Sequence, residues 1–152
     1  MHRKFIYKYL NDDELQKISY AIRDVEKNTA GEIVVSIKKQ RRVLEKSKPL
    51  RTLAEKEFIS AGINKTKNAT GILIFLVLLS KEFYILVDKS INEKVEQSVW
   101  DGISKNMSKH FREGNFCNGI IEGITECGKI LSTHFPVQPG DINELPDKVR
   151  IE

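Results

Sequence analysis

The sequence predicts an α/β protein in which helices cover both faces of a small mixed sheet, an α/β/α sandwich. Three observations support this fold class: an apolar run at residues 72–79, a short β-branched run at residues 33–35, and several stretches with one apolar helical face. With 152 residues, of which 40% are hydrophobic, the chain fits one domain with a sizeable core.

The first half of the chain predicts a helix, a strand and a second helix. Asn11 and the acidic residues after it are typical of a helix N-terminus, and apolar residues then recur at helical spacing from Leu15 to Val25. Residues 32–37 are rich in β-branched side chains and predict a strand. Pro49 is typical of a helix start, and Gly62 of its end.

The second half predicts a hairpin followed by two C-terminal helices. A strand at residues 72–79, apolar on both faces, is joined by a tight turn to a strand at residues 83–87. A third helix is expected over about residues 92–111, with apolar residues at every fourth position, and a fourth after Asn115. We expect the domain to span residues 1–136, with an irregular tail at residues 137–152 that packs on it or trails from it.

The positive charge is concentrated in one predicted loop. Residues 38–51 contain seven basic residues and one acidic residue, a net charge of +6 in a chain whose formal charge is +4. Such a loop is able to touch an anionic partner, although we interpret it mainly as a solvated loop. It has no interleaved aromatic residues and no recognised nucleic-acid motif, so no nucleic-acid partner is expected.

The hydropathy pattern predicts a soluble protein without a membrane span. No stretch approaches the roughly 20 apolar residues of a membrane helix. Lys8 and the acidic residues after Asn11 interrupt the N-terminal apolar segment, unlike the core of a secretory signal. We therefore expect a cytoplasmic protein.

The predicted topology brings two acidic residues to one edge of the sheet. A strand, a helix and a strand form a βαβ crossover with parallel strands, and the tight turn makes the third strand antiparallel. The starts of strands one and two then lie beside the end of strand three, which places Glu32 near Asp88. Carboxylates suit hard cations, so Glu32 and Asp88 are the predicted ligands of a calcium or magnesium ion.

Four residues with neutral oxygens are expected at the same edge. Asn68, Thr70, Ser90 and Asn92 are predicted to bind a ligand there. The third helix begins at this edge, and a helix N-terminus favours an anion such as phosphate, which a metal would bridge. A purely structural role is also open, since Ser90 and Glu93 have capping-box spacing.

Five segments in order resemble the TPM domain family. They are TAGEIVV at 29–35, TGILI at 70–74, VDKSINEKV at 87–95, HFREGNF at 110–116 and DINELPD at 141–147. The last three are similar to motifs of the short, soluble bacterial members. The sequence departs from the family pattern at Ala69, Thr70, Val87 and Ser90, where the family has other polar residues or glycines.

The resemblance implies a helix-covered α/β sandwich and several roles. The family includes a thylakoid lumen protein, a photosystem-repair protein and a receptor modulator. Some members are described as calcium binding, one as an acid phosphatase, and others as interaction modules.

Two functional hypotheses follow from the residues and the resemblance. The first is a non-enzymatic binding module with a protein partner, tuned by a divalent cation. The alternative is a metal-dependent phosphatase acting on phosphomonoesters, with Glu32 and Asp88 holding the ion. No catalytic residue is assigned, because motifs for a nucleophile, a phosphate-binding loop or a zinc protease are absent from the sequence.

Overall fold

The computed structural model describes residues 2–152, so Met1, the first residue of the expected domain, lies outside the described residues. The helices are α1 (Asp12–Glu26), α2 (Leu50–Ser60), α3 (Lys89–Asn92), α4 (Gln97–Arg112) and α5 (Phe116–His134). The strands are β1 (Glu32–Lys38), β2 (Gly71–Val77), β3 (Glu82–Val87) and β4 (Arg150–Ile151). Short 3-10 helices cover His2–Lys8, Val43–Glu45 and Ile63–Lys65.

The four strands form one mixed sheet in the order β3-β2-β1-β4. β1 and β2 are parallel and joined through α2, whereas β2 and β3 form an antiparallel hairpin. β4 pairs in parallel with the second half of β1. The predicted crossover and hairpin are therefore confirmed.

Two apolar clusters lie on opposite faces of the sheet. Along β1, Ile33 and Val35 belong to the cluster under α1, α4 and α5, and Val34 belongs to the cluster under α2. β2 alternates in the same way, and all of its residues are buried because helices cover both faces. The predicted fold class, a helix-covered α/β sandwich, is confirmed.

The predicted third helix is wrong at its start. Instead of one helix over about residues 92–111, the chain forms the short α3, turns, and begins α4 at Gln97. An α-helix advances about 100° per residue, so positions four apart drift by about 40° at each step. The break compensates for this drift. Ile91 is buried in α3, Val95 in the turn and Trp100 in α4, whereas Val99 is 40% exposed.

The tail is not irregular throughout. It packs on the domain, and its last residues form β4, where Arg150 pairs with Ser36. Pro136 forms an isolated bridge with Thr29 at the beginning of the tail. Residues 137–149 contain no helix or strand. The tail therefore contributes a strand to the sheet, which its composition did not reveal.

Candidate functional site

The strand registers place Glu32 and Asp88 in one row across three strands. Glu32 pairs with Gly71, and the Asp88 backbone N–H donates to the Gly71 carbonyl oxygen at 2.9 Å. Since neighbouring strands lie about 4.8 Å apart, the Cα atoms of the two acids are separated by two spacings, about 10 Å. The topology therefore brings both predicted metal ligands to the same edge of the sheet.

The Glu32 carboxylate is occupied by the tail. Its Oε2 accepts a hydrogen bond from the backbone N–H of Glu144 at 2.8 Å, and its Oε1 accepts one from Leu145 at 3.1 Å. The side chain is only 3% exposed, and burial raises its pKa although these two hydrogen bonds oppose that shift. In this arrangement Glu32 fastens the tail to the start of β1.

Asp88 has one free carboxylate oxygen. Its Oδ1 accepts from the Lys89 backbone N–H at 2.8 Å and caps α3. Its Oδ2 is buried and has no hydrogen-bond partner among the residues that the structure describes. A buried oxygen without a donor costs free energy that a cation or a water molecule would recover.

The neutral residues connect Asp88 to the loop before β2. The Ser90 hydroxyl donates to the Asn68 carbonyl oxygen at 2.8 Å, and the Ser90 backbone N–H donates to the Ala69 carbonyl oxygen at 3.2 Å. Ala69 has a φ of 54°, a left-handed conformation that residues other than glycine rarely adopt. The loop that carries Asn68 is therefore held in a strained conformation beside Asp88.

Thr70 and Asn92 are placed less favourably than Ser90 for binding a ligand at this edge. Thr70 is 2% exposed, and its carbonyl oxygen accepts from the Glu32 backbone N–H at 3.2 Å, within the sheet edge. Asn92 is exposed at the last position of α3, and its backbone N–H donates to the Asp88 carbonyl oxygen at 3.0 Å. Thr70 therefore contacts Glu32 and Asn92 contacts Asp88, and both of these contacts are made by backbone atoms.

Glu32 and Asp88 do not converge on one pocket. Gly71 lies between them, and the Ile63 side chain fills the space that a Cβ atom at Gly71 would take. No three His, Cys, Asp or Glu side chains are grouped to hold a metal ion within the described part of the chain. Of the two predicted ligands, only Asp88 keeps a carboxylate oxygen without a hydrogen-bond donor among the described residues.

The predicted phosphate position is also changed by the short α3. With four residues, α3 has a much smaller dipole than the long helix expected there. The Asp88 side chain already occupies its N-terminus. An anion at this position would have to displace a carboxylate.

Sequence reasoning missed a second, partly buried acid near Glu32. Glu26, at the end of α1, accepts from the Ile33 backbone N–H through Oε2 at 2.8 Å. Burial, and then a hydrogen bond with Asp147 of the tail, raises the pKa of Glu26 to about 9. For Glu32 a signal was present, because a carboxylate at the start of a buried strand requires donors, and the tail was the one segment left without an assigned contact.

The tail also forms one wall of a groove against α1. This groove has a volume of about 610 Å³, and its lining includes Tyr20, Arg23, Pro146 and Lys148. Tyr20 is 56% exposed, and the Arg23 guanidinium lies 5.3 Å from the centre of its ring. Arg23 also lies 3.5 Å from Asp147, which ties the two walls together.

The chain's histidine and cysteine side chains form no nucleophile–base pair in the described region. His110 Nε2 lies 2.6 Å from Glu122 Oε2, between α4 and α5. Cys127 is fully buried, which raises its pKa to about 12, and burial also raises the pKa of Cys117. Both thiols therefore remain protonated near neutral pH, where they are poor nucleophiles.

None of the helices within residues 2–152 has both the length and the apolar character needed to cross a membrane.

A mixed sheet with α2 on one face and three longer helices on the other defines a helix-covered α/β protein. Residues 7–130 match the family model described as the TPM domain, so this chain belongs to the TPM domain family. The predicted family is thereby confirmed. A search of curated proteins gave no match.

Several solved structures are similar to this chain. One is the NMR structure of the BA42 protein from the psychrophilic bacterium Bizionia argentinensis, with 34% identity, a TM-score of 0.85, and coverage of 95% of this chain and 96% of that one. Another is the N-terminal domain of a protein from P. gingivalis, with 21% identity, a TM-score of 0.67, and coverage of 84% and 79%. The second likeness shows the fold alone.

Proposed function

We propose that this TPM domain is a non-enzymatic binding module for a protein partner, tuned by one calcium or magnesium ion at Asp88. The observation that carries the proposal is that the two acids make different contacts. Glu32 accepts hydrogen bonds from the tail through both carboxylate oxygens, and Asp88 keeps one buried oxygen without a donor. This edge of the sheet is thus arranged to position the tail.

The groove between α1 and the tail is the surface offered to the partner. Tyrosine and arginine are enriched at the energetic centres of protein interfaces, and Tyr20 and Arg23 lie together in this groove. A volume of about 610 Å³ is sufficient for several side chains of a partner. Since the tail forms one wall, any change in its position alters the groove.

A continuous set of contacts joins Asp88 to the tail. Ser90 is bonded to Asn68, and the neighbouring Lys67 backbone N–H lies 3.3 Å from the Glu144 carboxylate oxygens. Glu144 in turn donates its backbone N–H to Glu32. A cation that draws the 67–70 loop toward Asp88 would therefore shift the tail.

The proposed ion is held by Asp88 Oδ2, with neutral oxygens from the loop around Asn68 and from Ser90. Calcium and magnesium take oxygen ligands of this kind. Because the site has a single carboxylate, its affinity belongs at the weak end, roughly 10⁻⁴–10⁻³ M.

An NMR titration with calcium and then magnesium tests both the ion and the tuning. We expect amide shifts at residues 67–70 and 88–92 at millimolar ion, with smaller shifts at residues 143–146 and at Tyr20. Asp88→Asn keeps a helix-capping side chain but removes the charge, so these shifts should disappear. Asp24→Asn, at an exposed position, is the matched control and should leave them unchanged.

Two results would contradict the proposal. Absence of shifts near Asp88 in the wild type would exclude the cation, and shifts confined to residues 67–70 and 88–92 would exclude the tuning of the tail. Hydrolysis of a phosphomonoester by purified wild type, lost in Asp88→Asn, would instead establish the metal-dependent phosphatase.

A further inference from the structure

The ends of β1 and β2 carry an ordered basic surface on the side of the sheet opposite to Asp88. The Leu79 backbone N–H donates to the Lys39 carbonyl oxygen at 2.9 Å, which joins the β2–β3 turn to the loop after β1. Arg41 reinforces this junction with two hydrogen bonds of 2.8 Å to Glu82 and with bonds to the carbonyl oxygens of Glu45 and Lys48. We call the surface formed by residues 39–48 and 79–81 the basic pole.

Three aliphatic side chains project from the basic pole into solvent. Leu44 is 84% exposed and Val43 is 80% exposed, both in the Val43–Glu45 turn. Leu79 is 55% exposed in the adjoining β2–β3 turn. Exposed aliphatic residues grouped on a structured surface indicate a contact with an apolar phase or partner.

The acidic residues in and next to the basic pole are neutralised within the protein. Glu45 is 5% exposed and lies 3.0 Å from Lys38 Nζ, and Glu82 pairs with Arg41. Glu152, at the margin, lies 3.9 Å from Lys38. Four lysines of the pole are exposed, and their ammonium groups form no ion pair within the described residues: Lys39, Lys46, Lys48 and Lys81.

A depression beside Leu79 extends the same surface. It has a volume of about 430 Å³ and is lined by Lys4, Lys8 and Lys39 together with apolar side chains that include Leu79. Three lysines around one depression favour an anionic group such as a phosphodiester headgroup. The N-terminal 3-10 helix thus adds charge of the same sign next to the exposed leucine.

We propose that the basic pole docks this protein on an anionic lipid bilayer, with Val43, Leu44 and Leu79 in the headgroup layer and the lysines among the headgroups. Aliphatic side chains gain free energy on leaving water, and lysines are attracted to anionic lipid. A nucleic acid would engage the lysines but leave the three aliphatic side chains in water, and none of them is an aromatic ring on which a base stacks. Association of this kind is peripheral.

Flotation of the full chain with lipid vesicles tests the proposal. We expect binding to vesicles of phosphatidylcholine with phosphatidylglycerol and none to phosphatidylcholine alone. Leu44→Ser with Leu79→Ser should weaken binding by roughly tenfold per leucine. Lys46→Gln, Lys48→Gln and Lys81→Gln together should weaken it by roughly a hundredfold, because each lysine contributes roughly fivefold.

Matched control variants distinguish the contribution of the basic pole to vesicle binding from general effects of charge and hydropathy. Ile142→Ser removes a side chain that is 78% exposed in the tail and should leave binding unchanged. Lys27→Gln, Lys67→Gln and Lys105→Gln remove three exposed lysines elsewhere and should have much less effect than the basic-pole triple variant. All substituted residues are exposed, and circular dichroism verifies that each variant is folded.

Two outcomes would overturn the proposal. The first is a wild type that does not float with anionic vesicles. The second is flotation that depends on the lysines but survives Leu44→Ser with Leu79→Ser and is abolished by soluble DNA, which would identify a polyanion site. Both tests are independent of Asp88, so their failure leaves the cation proposal intact.

Discussion

At the scale of single residues, the two acids under the tail differ in the hydrogen bonds that oppose their protonation. Glu26 and Glu32 are both shifted upward in pKa by burial, but only Glu32 has two backbone N–H donors that favour its ionised form. Glu26 has one such donor and shares a hydrogen bond with a second carboxyl group, that of Asp147. Glu26 therefore carries a proton at neutral pH.

Glu26→Gln should change the pH dependence of stability. Because the pKa of Glu26 rises from 4.5 to about 9 on folding, the folded state retains a proton that the unfolded state loses. The contribution is fully present below about pH 4.5 and is lost as the pH rises toward 9. Urea unfolding between these pH values should show the wild type losing stability with rising pH relative to Glu26→Gln.

The matched control for this experiment is Glu113→Gln, at an exposed position after α4. Its stability profile should run parallel to that of the wild type. If the profile of Glu26→Gln is also parallel, Glu26 is ionised in the folded protein and the assignment of its proton is incorrect.

Part of the candidate site could be predicted from the sequence. Chain direction and turn length were sufficient to place Asp88 beside the loop of Asn68, because both are local properties of a crossover and a hairpin. The role of Glu32 was not predictable in this way. Its donors are 112 and 113 residues further along the chain, and no periodicity links positions so far apart.

At the scale of elements, glycines set how closely α5 approaches its neighbours. A Cβ atom at Gly128 would lie 2.7 Å from Cβ of Val25 in α1, and one at Gly123 would lie 2.6 Å from Sδ of Met107 in α4. The absence of a side chain at these two glycines therefore lets side chains of both neighbouring helices lie against the backbone of α5. Gly102 in α4 has no atom near the corresponding position within 4 Å.

Alanine substitutions at these three glycines should therefore differ in sign. Gly128→Ala should destabilise the protein by about 1–3 kcal/mol, because a β-branched side chain next to the helix backbone has little freedom to move. Gly123→Ala should cost less, since the unbranched Met107 side chain is flexible. Gly102→Ala should stabilise by about 0.5–1 kcal/mol, as alanine favours the helix. Chemical denaturation of the three variants measures the order.

If Gly128→Ala lowers stability no more than Gly123→Ala does, this result would contradict the described packing of α1 on α5. The break between α3 and α4 has a different cause, because it keeps Ile91, Val95 and Trp100 buried. Sequence periodicity identifies the buried face, but a four-residue repeat does not specify whether a helix bends or breaks to keep that face inward.

At the scale of the whole molecule, the tail fastens elements that are distant in sequence. Arg150 Nε donates to Glu57 of α2 at 3.0 Å, and Asp147 lies 3.5 Å from Arg23 of α1. Glu32 holds residues 144 and 145, which precede both of these anchors in the chain. The fold class was predictable because strong local patterns encode the central strands and the long helices, whereas a two-residue strand with distant partners leaves no such pattern.

Glu32→Ala should detach the middle of the tail. Loss of both acceptors leaves the Glu144 N–H without a partner and the Leu145 N–H with only the Asn143 Oδ1 at 3.4 Å, and should lower stability by about 1–3 kcal/mol. Amide hydrogen exchange at residues 144 and 145 should accelerate strongly. Glu93→Ala, at an exposed position, should change neither quantity, and retained protection of both amides in Glu32→Ala would refute the anchoring role.

The pairing of β4 with β1 has a consequence for synthesis of the chain. Arg150 follows its partner Ser36 by 114 residues, so at roughly 5–20 residues per second the ribosome needs roughly 6–23 s to supply it. During that interval the outer edge of β1 offers unpaired backbone groups flanked by Ile33, Val35 and Ile37. The nascent polypeptide therefore passes through a stage in which a chaperone, or an identical chain on a neighbouring ribosome, meets a strand edge that the finished protein conceals.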